Sequence, residues 1–179
     1  MRGLWTQDKF SFEGKHFQLK DAMCEPKPLQ ERLPLVIGGS GERRTLRIVA
    51  EHADIWHTGF GDLERWRHLL DVLAGHCGDV GRDPADVRKS LTFRAVLADS
   101  EAEAEERAAE VFDGGVPEHM KQMFVIGTVE QCIEALRPYA ELGAGDFLLG
   151  TMAPFNDWKT IEAVANEVAP ALRSSVAAR

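Results

Sequence analysis

The sequence predicts an α/β fold in which short parallel strands alternate with helices. Three observations predict it. From residue 35 onward, brief apolar runs alternate with segments of helical period. Each apolar run is nearly free of polar residues, the pattern of a strand covered on both faces. A glycine-rich turn, Gly38-Gly39-Ser40-Gly41, joins the first of these runs to a helix, as βα junctions in such sheets often do.

In chain order, Phe10 and Phe12, then Phe17 and Leu19, alternate with polar residues around Glu13-Gly14-Lys15, which predicts a hairpin over 10–20. Pro26, Pro28 and Pro34 punctuate an irregular connector. Residues 1–34 therefore read as a hairpin with a proline-rich connector, and 35–179 as the βα region. Leu35–Ile37 is the first buried strand, and a helix over 42–53 places Leu46, Val49, Ala50 and Ala53 on one face. Residues 54–57 form the second strand, and 62–77 a helix with Leu63, Trp66, Leu70 and Leu73 as its apolar face. After a turn at Gly81-Arg82-Asp83-Pro84, Leu91–Ala98 is the third strand, with Phe93, Ala95 and Leu97 on one side. An acidic helix over 100–112 is broken by Gly114-Gly115-Val116-Pro117. Thr128 and Gln131 have capping-box spacing and open a helix with Ile133, Leu136 and Tyr139 or Ala140 inward. Phe147–Thr151 is the fourth strand, and a last helix runs from about Asp157 to Leu172 before a small-residue tail. Right-handed crossovers would make the four strands parallel, with two edges left unpaired.

A chain of 179 residues suffices for one domain with a sizeable core. Its net charge of −8 disfavours broad binding to nucleic acid or an anionic membrane. No apolar run approaches the ~20 residues that span a bilayer, and the N-terminus lacks a signal core. Three widely spaced cysteines, Cys24, Cys77 and Cys132, fit a reducing cytoplasm better than a disulfide frame.

The glycine-rich junction is a candidate phosphate site. Glycines let the main chain approach an anion, and the first N–H groups of the following helix point at it. Arg43, in the first helical turn, would add a charge-assisted hydrogen bond. The alternatives are that the glycines serve only a tight turn, that Ser40 caps the helix, and that Arg43 is solvated. The spacing is neither that of a Walker loop nor that of a dinucleotide fingerprint.

Other residues gather near strand ends. Trp56 either lines a pocket for a flat ring or packs in the core. His57 is either a general acid–base group or a satisfied histidine. Glu51, His52, Asp54 and His57 lack metal-ligand spacing, so no metal is expected. Ser40 lacks the context of a nucleophile elbow. Met152 and Phe155, after the fourth strand, either contact a ligand or seat the last helix.

Three blocks carry a family resemblance: Phe12–Phe17 with Pro26-Lys27-Pro28; Pro34–Gly41 through Ala50–Trp56; and Ile126-Gly127-Thr128 with Gly143–Phe147. Together they resemble the luciferase-like monooxygenase family, in particular its deazaflavin-using branch. The resemblance implies a (β/α)8 TIM-type barrel of which this chain is the C-terminal half, about four parallel strands preceded by the hairpin insertion. It implies FMN or the deazaflavin coenzyme F-420 as cofactor, bound by Gly38, Gly39, Ser40, Gly41, Arg43 and Trp56, with His57 as the catalytic candidate. It implies a small-molecule substrate, and either a missing N-terminal barrel half or a homo-oligomer. The expected function is a flavin- or deazaflavin-dependent oxidoreductase or monooxygenase. The competing expectation is a non-catalytic half-barrel that binds a phosphorylated ligand or dimerises.

Overall fold

The structure, a computed structural model, describes residues 1–59, 61–111, 116–150 and 157–177. Met1–Pro34 and Leu35–Arg179 form two compact units.

In the first unit, α1 (Arg2–Thr6) precedes strands β1 (Phe10–Glu13) and β2 (Gln18–Ala22), which pair antiparallel with Phe12 opposite Leu19. The hairpin follows from the alternating aromatics, and the rings of Phe10 and Phe12 lie parallel at 6.5 Å. The short helix was not anticipated, since five residues carry no readable period. Lys27 ties the connector to its end, donating to the carbonyls of Leu4 (3.2 Å) and Gln7 (2.8 Å).

The second unit is a parallel sheet under helices. Its elements are β3 (Val36–Gly38), α2 (Thr45–His52), β4 (Ile55–Gly59), α3 (Leu63–Asp79), β5 (Arg88–Leu97), α4 (Glu101–Val111), α5 (Glu118–Lys121), β6 (Phe124–Gly127), α6 (Val129–Glu141), β7 (Ala144–Gly150), α7 (Trp158–Ala163) and α8 (Ala169–Ala177). A 3-10 turn spans Pro84–Asp86, and a π-helical turn, Val164–Val168, joins α7 to α8. The last helical stretch therefore reaches Ala177, past the expected end at Leu172.

Strands β3, β4, β5 and β7 lie side by side in chain order, all parallel. Each new strand adding to the same edge is barrel order, not the doubly wound order that reverses at a switch point. A fifth strand, β6, was not expected. Arg94 of β5 pairs with both Phe124 and Gly150, so β6 and β7 flank β5 on opposite edges. β6 thus occupies the β4 side, beyond the last β4 pair, Gly59 with Thr92. Four residues flanked by a helix gave it no separable signal in the sequence.

The sheet has two different faces. On the helix side, Trp56, Leu91, Phe93, Ala95 and Leu97 pack with Leu46, Val49, Trp66, Leu69, Leu73, Leu136 and Tyr139 in one core. On α3 the fully buried positions include Leu69 and Cys77; Leu63 and Leu70, expected inward, are half-buried beside them. On the opposite face the strands present His57, Arg88, Ser90 and Asp146, bordered by Val36 and Leu148. This polar alternation corrects the expectation of strands apolar on both faces. Ser90, Thr92 and Arg94 interleave with Leu91, Phe93 and Ala95, so one face is hydrocarbon and the other hydrogen-bonding.

Caps fix where the helices start. Thr128 and Gln131 close a reciprocal capping box on α6. Asp62 accepts from the Glu64 N–H at 2.9 Å to start α3. Asp157 caps α7 through the Thr160 N–H at 3.1 Å. The expected breaker Gly114-Gly115 and the Thr151–Phe155 segment, with Met152, lie outside the described residues.

Candidate functional site

The glycine-rich turn leaves the C-terminal end of β3. Gly39 has φ +123, a conformation costly for any residue with a Cβ. Its N–H donates to the His57 carbonyl at 2.9 Å, carrying the β3–β4 ladder one residue further. Its carbonyl accepts from the indole N–H of Trp56 at 2.8 Å. Both polar groups of Gly39 are thereby used by the fold, which corrects the expectation that its N–H serves a ligand. Beyond it, and among the described residues, no protein acceptor takes the N–H groups of Ser40, Gly41, Glu42 and Arg43. A Cβ on Gly41 would lie 2.8 Å from the Thr45 hydroxyl oxygen, so any other residue there would displace the Thr45 side chain.

Trp56, expected among the cofactor-binding residues, is a core residue instead. It is fully buried and stacks on Trp66 with ring centroids 5.1 Å apart and planes 9° from parallel. The cause is register: it pairs with Ile37 on the helix-facing set of β4, whereas His57 points the other way. Trp56 therefore serves the turn from behind, through its bond to Gly39.

His57 lies on the open face. Its Nδ1 is 3.0 Å from the Ser90 hydroxyl and its Nε2 is 3.1 Å from the Thr92 hydroxyl. A neutral imidazole donates from one nitrogen and accepts at the other, so the ring bridges the two hydroxyls. Neither hydroxyl was singled out from the sequence; the alternation of β5 is the signal that finds them. Deeper on the same face, Arg88 pairs with Asp146 at 2.7 Å.

At the C-terminal ends of β3 and β4 a cleft of about 240 Å³ opens beside the turn, lined by Ser40, Thr58, Asp62, Arg65, Trp66 and Tyr139 among others. The Tyr139 hydroxyl donates to the Gly61 carbonyl, and burial pushes its pKa up, so it stays neutral. Arg65, in the first turn of α3, brings the cleft its cation. Arg43, expected in this role, is not among the lining residues. The indole N–H of Trp66, 3% exposed, finds no acceptor among the described residues. A larger groove of about 570 Å³ runs along the open face past His57, Ser90 and Asp146.

No three His, Cys, Asp or Glu side chains among the described residues converge as a metal site would require. Asp54 is bound into the fold, its carboxylate accepting from the Leu35 N–H at 2.7 Å. Glu51 pairs with Arg47 at 3.0 Å. No helix among the described residues is long and apolar enough to cross a membrane.

Comparison with known proteins agrees with this fold. The family model for luciferase-like monooxygenases matches residues 1–119. The chain belongs to that family. Among curated relatives, this luciferase-like chain is 28% identical over 124 residues to an FMNH(2)-dependent dimethylsulfone monooxygenase of Pseudomonas putida, a match covering 65% of this chain and 34% of that protein. Among solved structures, it superimposes on an F-420-dependent secondary alcohol dehydrogenase with a TM-score of 0.74 at 21% identity, covering 96% of this chain and 58% of that one. The coenzyme F-420-dependent tetrahydromethanopterin reductase of Methanopyrus kandleri gives 0.76 at 15% identity, with coverage of 94% and 59%. The chain thus matches about a third of that curated relative and a little over half of each of these structures.

Proposed function

We propose that this chain is the phosphate-binding half of a luciferase-like oxidoreductase that uses FMN or the deazaflavin coenzyme F-420. The observation that carries the reading is the turn itself. The N–H groups of Ser40 and Gly41, without a protein acceptor among the described residues, sit at the C-terminal ends of sequentially ordered parallel strands, beside a cleft that contains Arg65. That end of a barrel is where ligands are bound. At about 240 Å³ the cleft is smaller than the ~300–1,000 Å³ of whole-ligand pockets, which suits the phosphate end of a cofactor and not its ring.

The residues fit such a group. Gly39 needs its backbone angle and Gly41 sits close against Thr45, so the main chain can approach an anion closely, and the buried Trp66 N–H beside the cleft has no acceptor among the described residues. Ser40 and Gly41 would hold the phosphate through N–H groups, the Ser40 hydroxyl would add another bond, and Arg65 would supply charge. Gly38 and Gly39 shape the turn, and Arg43, whose side chain does not line the cleft, would contribute its main-chain N–H. When bound, the flavin or deazaflavin supplies hydride transfer or, for FMN, oxygen activation. His57 would exchange a proton with a small-molecule substrate on the open face by way of the Ser90 or Thr92 hydroxyl that its ring contacts. The names of the relatives, FMNH(2)- and F-420-dependent, support the cofactor class. Three free cysteines, two of them buried, support a cytoplasmic setting.

Fluorescence titration of the chain with FMN and, separately, coenzyme F-420 tests the reading. Saturable binding to one of them supports it and selects the cofactor. A folded chain that binds neither contradicts it.

A second reading has its own observation. Among the described residues β3 and β7 are paired on one edge only, and on the polar face Val36 and Leu148 are 55% and 48% exposed. An incomplete barrel of four strands in barrel order would be completed by four more, from a second copy or a separate N-terminal half. Sedimentation equilibrium decides: a dimer supports self-completion, and a monomer opposes it.

A further inference from the structure

The glycine-rich turn is held from the side of α3 by two histidines that neither the family match nor the sequence reading assigns to it. The Nε2 of His76 lies 2.8 Å from the main-chain oxygen of Glu42. A carbonyl only accepts, so this ring carries its proton on Nε2. The Nε2 of His68, two helical turns earlier, lies 3.3 Å from the Glu42 carboxylate. One residue of the turn, between Gly41 and Arg43, is thus held at both its main chain and its side chain.

Both contacts bear on anion binding. The peptide joining Glu42 to Arg43 is trans, the only cis bond among the described residues being Glu25–Pro26. In a planar trans peptide the C=O and N–H point to opposite sides. With the Glu42 oxygen fixed toward His76, the Arg43 N–H is directed away from His76, and no acceptor among the described residues takes it. The carboxylate matters through charge. A free Glu42 side chain next to a phosphate would repel it, and its contact with His68 draws that charge onto the α3 surface.

We propose that His76 and His68 are positioning residues for the phosphate turn: His76 orients the Glu42–Arg43 peptide, and His68 keeps the Glu42 carboxylate off the anion. The proposal rests on the reading that this turn binds phosphate.

The test compares affinity for FMN with affinity for riboflavin, which has the same ring and no phosphate. The wild-type chain binds FMN more tightly. His76→Ala lowers FMN affinity about tenfold, the loss of one well-placed hydrogen-bond donor, and leaves riboflavin affinity unchanged. His76→Gln, which keeps an N–H at similar reach, restores most of the loss. His68→Ala also weakens FMN binding, and adding Glu42→Gln to it restores affinity because the repelling charge is gone. A purely structural role would lower both ligands together and would show no rescue by removing the charge. An FMN-to-riboflavin ratio unchanged in His76→Ala overturns the proposal while leaving the phosphate reading in place. A wild-type chain with no preference for FMN over riboflavin, and none for coenzyme F-420 over its phosphate-free deazaflavin ring, overturns both. Should His76→Ala fail to fold, the nitrogen-15 signal of His76 Nε2 in the wild-type chain is followed during titration with inorganic phosphate. A saturable shift supports the proposal, and an unmoved signal overturns it.

Discussion

The indole N–H of Trp56 donates to the main-chain oxygen of Gly39 at 2.8 Å, while the ring stacks on Trp66 at 5.1 Å. A core aromatic on the helix side of the sheet therefore holds the turn that faces the ligand end. Trp56→Phe keeps an aromatic ring and removes the donor. It leaves the Gly39 carbonyl unpartnered and the core slightly underfilled, and should cost about 2–4 kcal/mol of stability. Urea unfolding reads this directly, and the surviving folded fraction should bind FMN more weakly than wild type.

Gly39 is needed for its backbone angle. At φ +123 an alanine is strained, and its Cβ would also sit 3.2 Å from the Thr45 methyl. Gly39→Ala should lose about 1–3 kcal/mol. Gly39→Asp adds a carboxylate and should abolish phosphate binding at equal folded concentration. Equal stability for wild type and Gly39→Ala, measured by thermal unfolding, would refute the strain argument.

The two arginines near the turn are separated by the structure. Arg65 lines the cleft with Ser40, and Arg43 does not. Arg65→Ala should weaken FMN binding by about 1–3 kcal/mol, whereas Arg43→Ala should change it by less than about 0.5 kcal/mol. Titration calorimetry on both variants checks this, and the reverse order would return Arg43 to the role its sequence position suggests.

The βα order, the hairpin, the turn and the capping box were legible because each rests on local chemistry: periodicity, glycine, and an i to i+3 polar pair. What was not legible depends on register. Trp56 and His57 are adjacent in sequence, and only strand pairing decides which faces the helices. Arg65 and Ser40 are far apart in sequence and meet because α3 starts where β4 ends. β6 was missed because its four residues are held by pairing with β5 beyond the end of β4.

Asp157 links three elements. It caps α7 and pairs with Arg107 of α4, which also donates to the Leu97 carbonyl at the end of β5. Burial alone would raise its carboxyl, but the Thr160 hydroxyl and N–H and the Arg107 guanidinium outweigh burial and hold it below the usual range. A depressed carboxylate adds stability that is present above its unfolded value, about 3.9, and is lost as pH falls through the lower folded value. Stability should therefore decline below about pH 4 in the wild type. Asp157→Asn should be less stable at neutral pH by about 1–3 kcal/mol and show a shallower acid decline. Parallel pH–denaturation curves for the two proteins test the sign.

The most direct measurement is the phosphorus-31 spectrum of FMN, and of coenzyme F-420, during titration with the folded chain. The account predicts a saturable shift and broadening of the phosphate line for one of them, lost in Gly39→Asp and reduced in Arg65→Ala. A phosphate line that stays sharp and unshifted at saturating protein would contradict the assignment of the glycine-rich turn as the phosphate site.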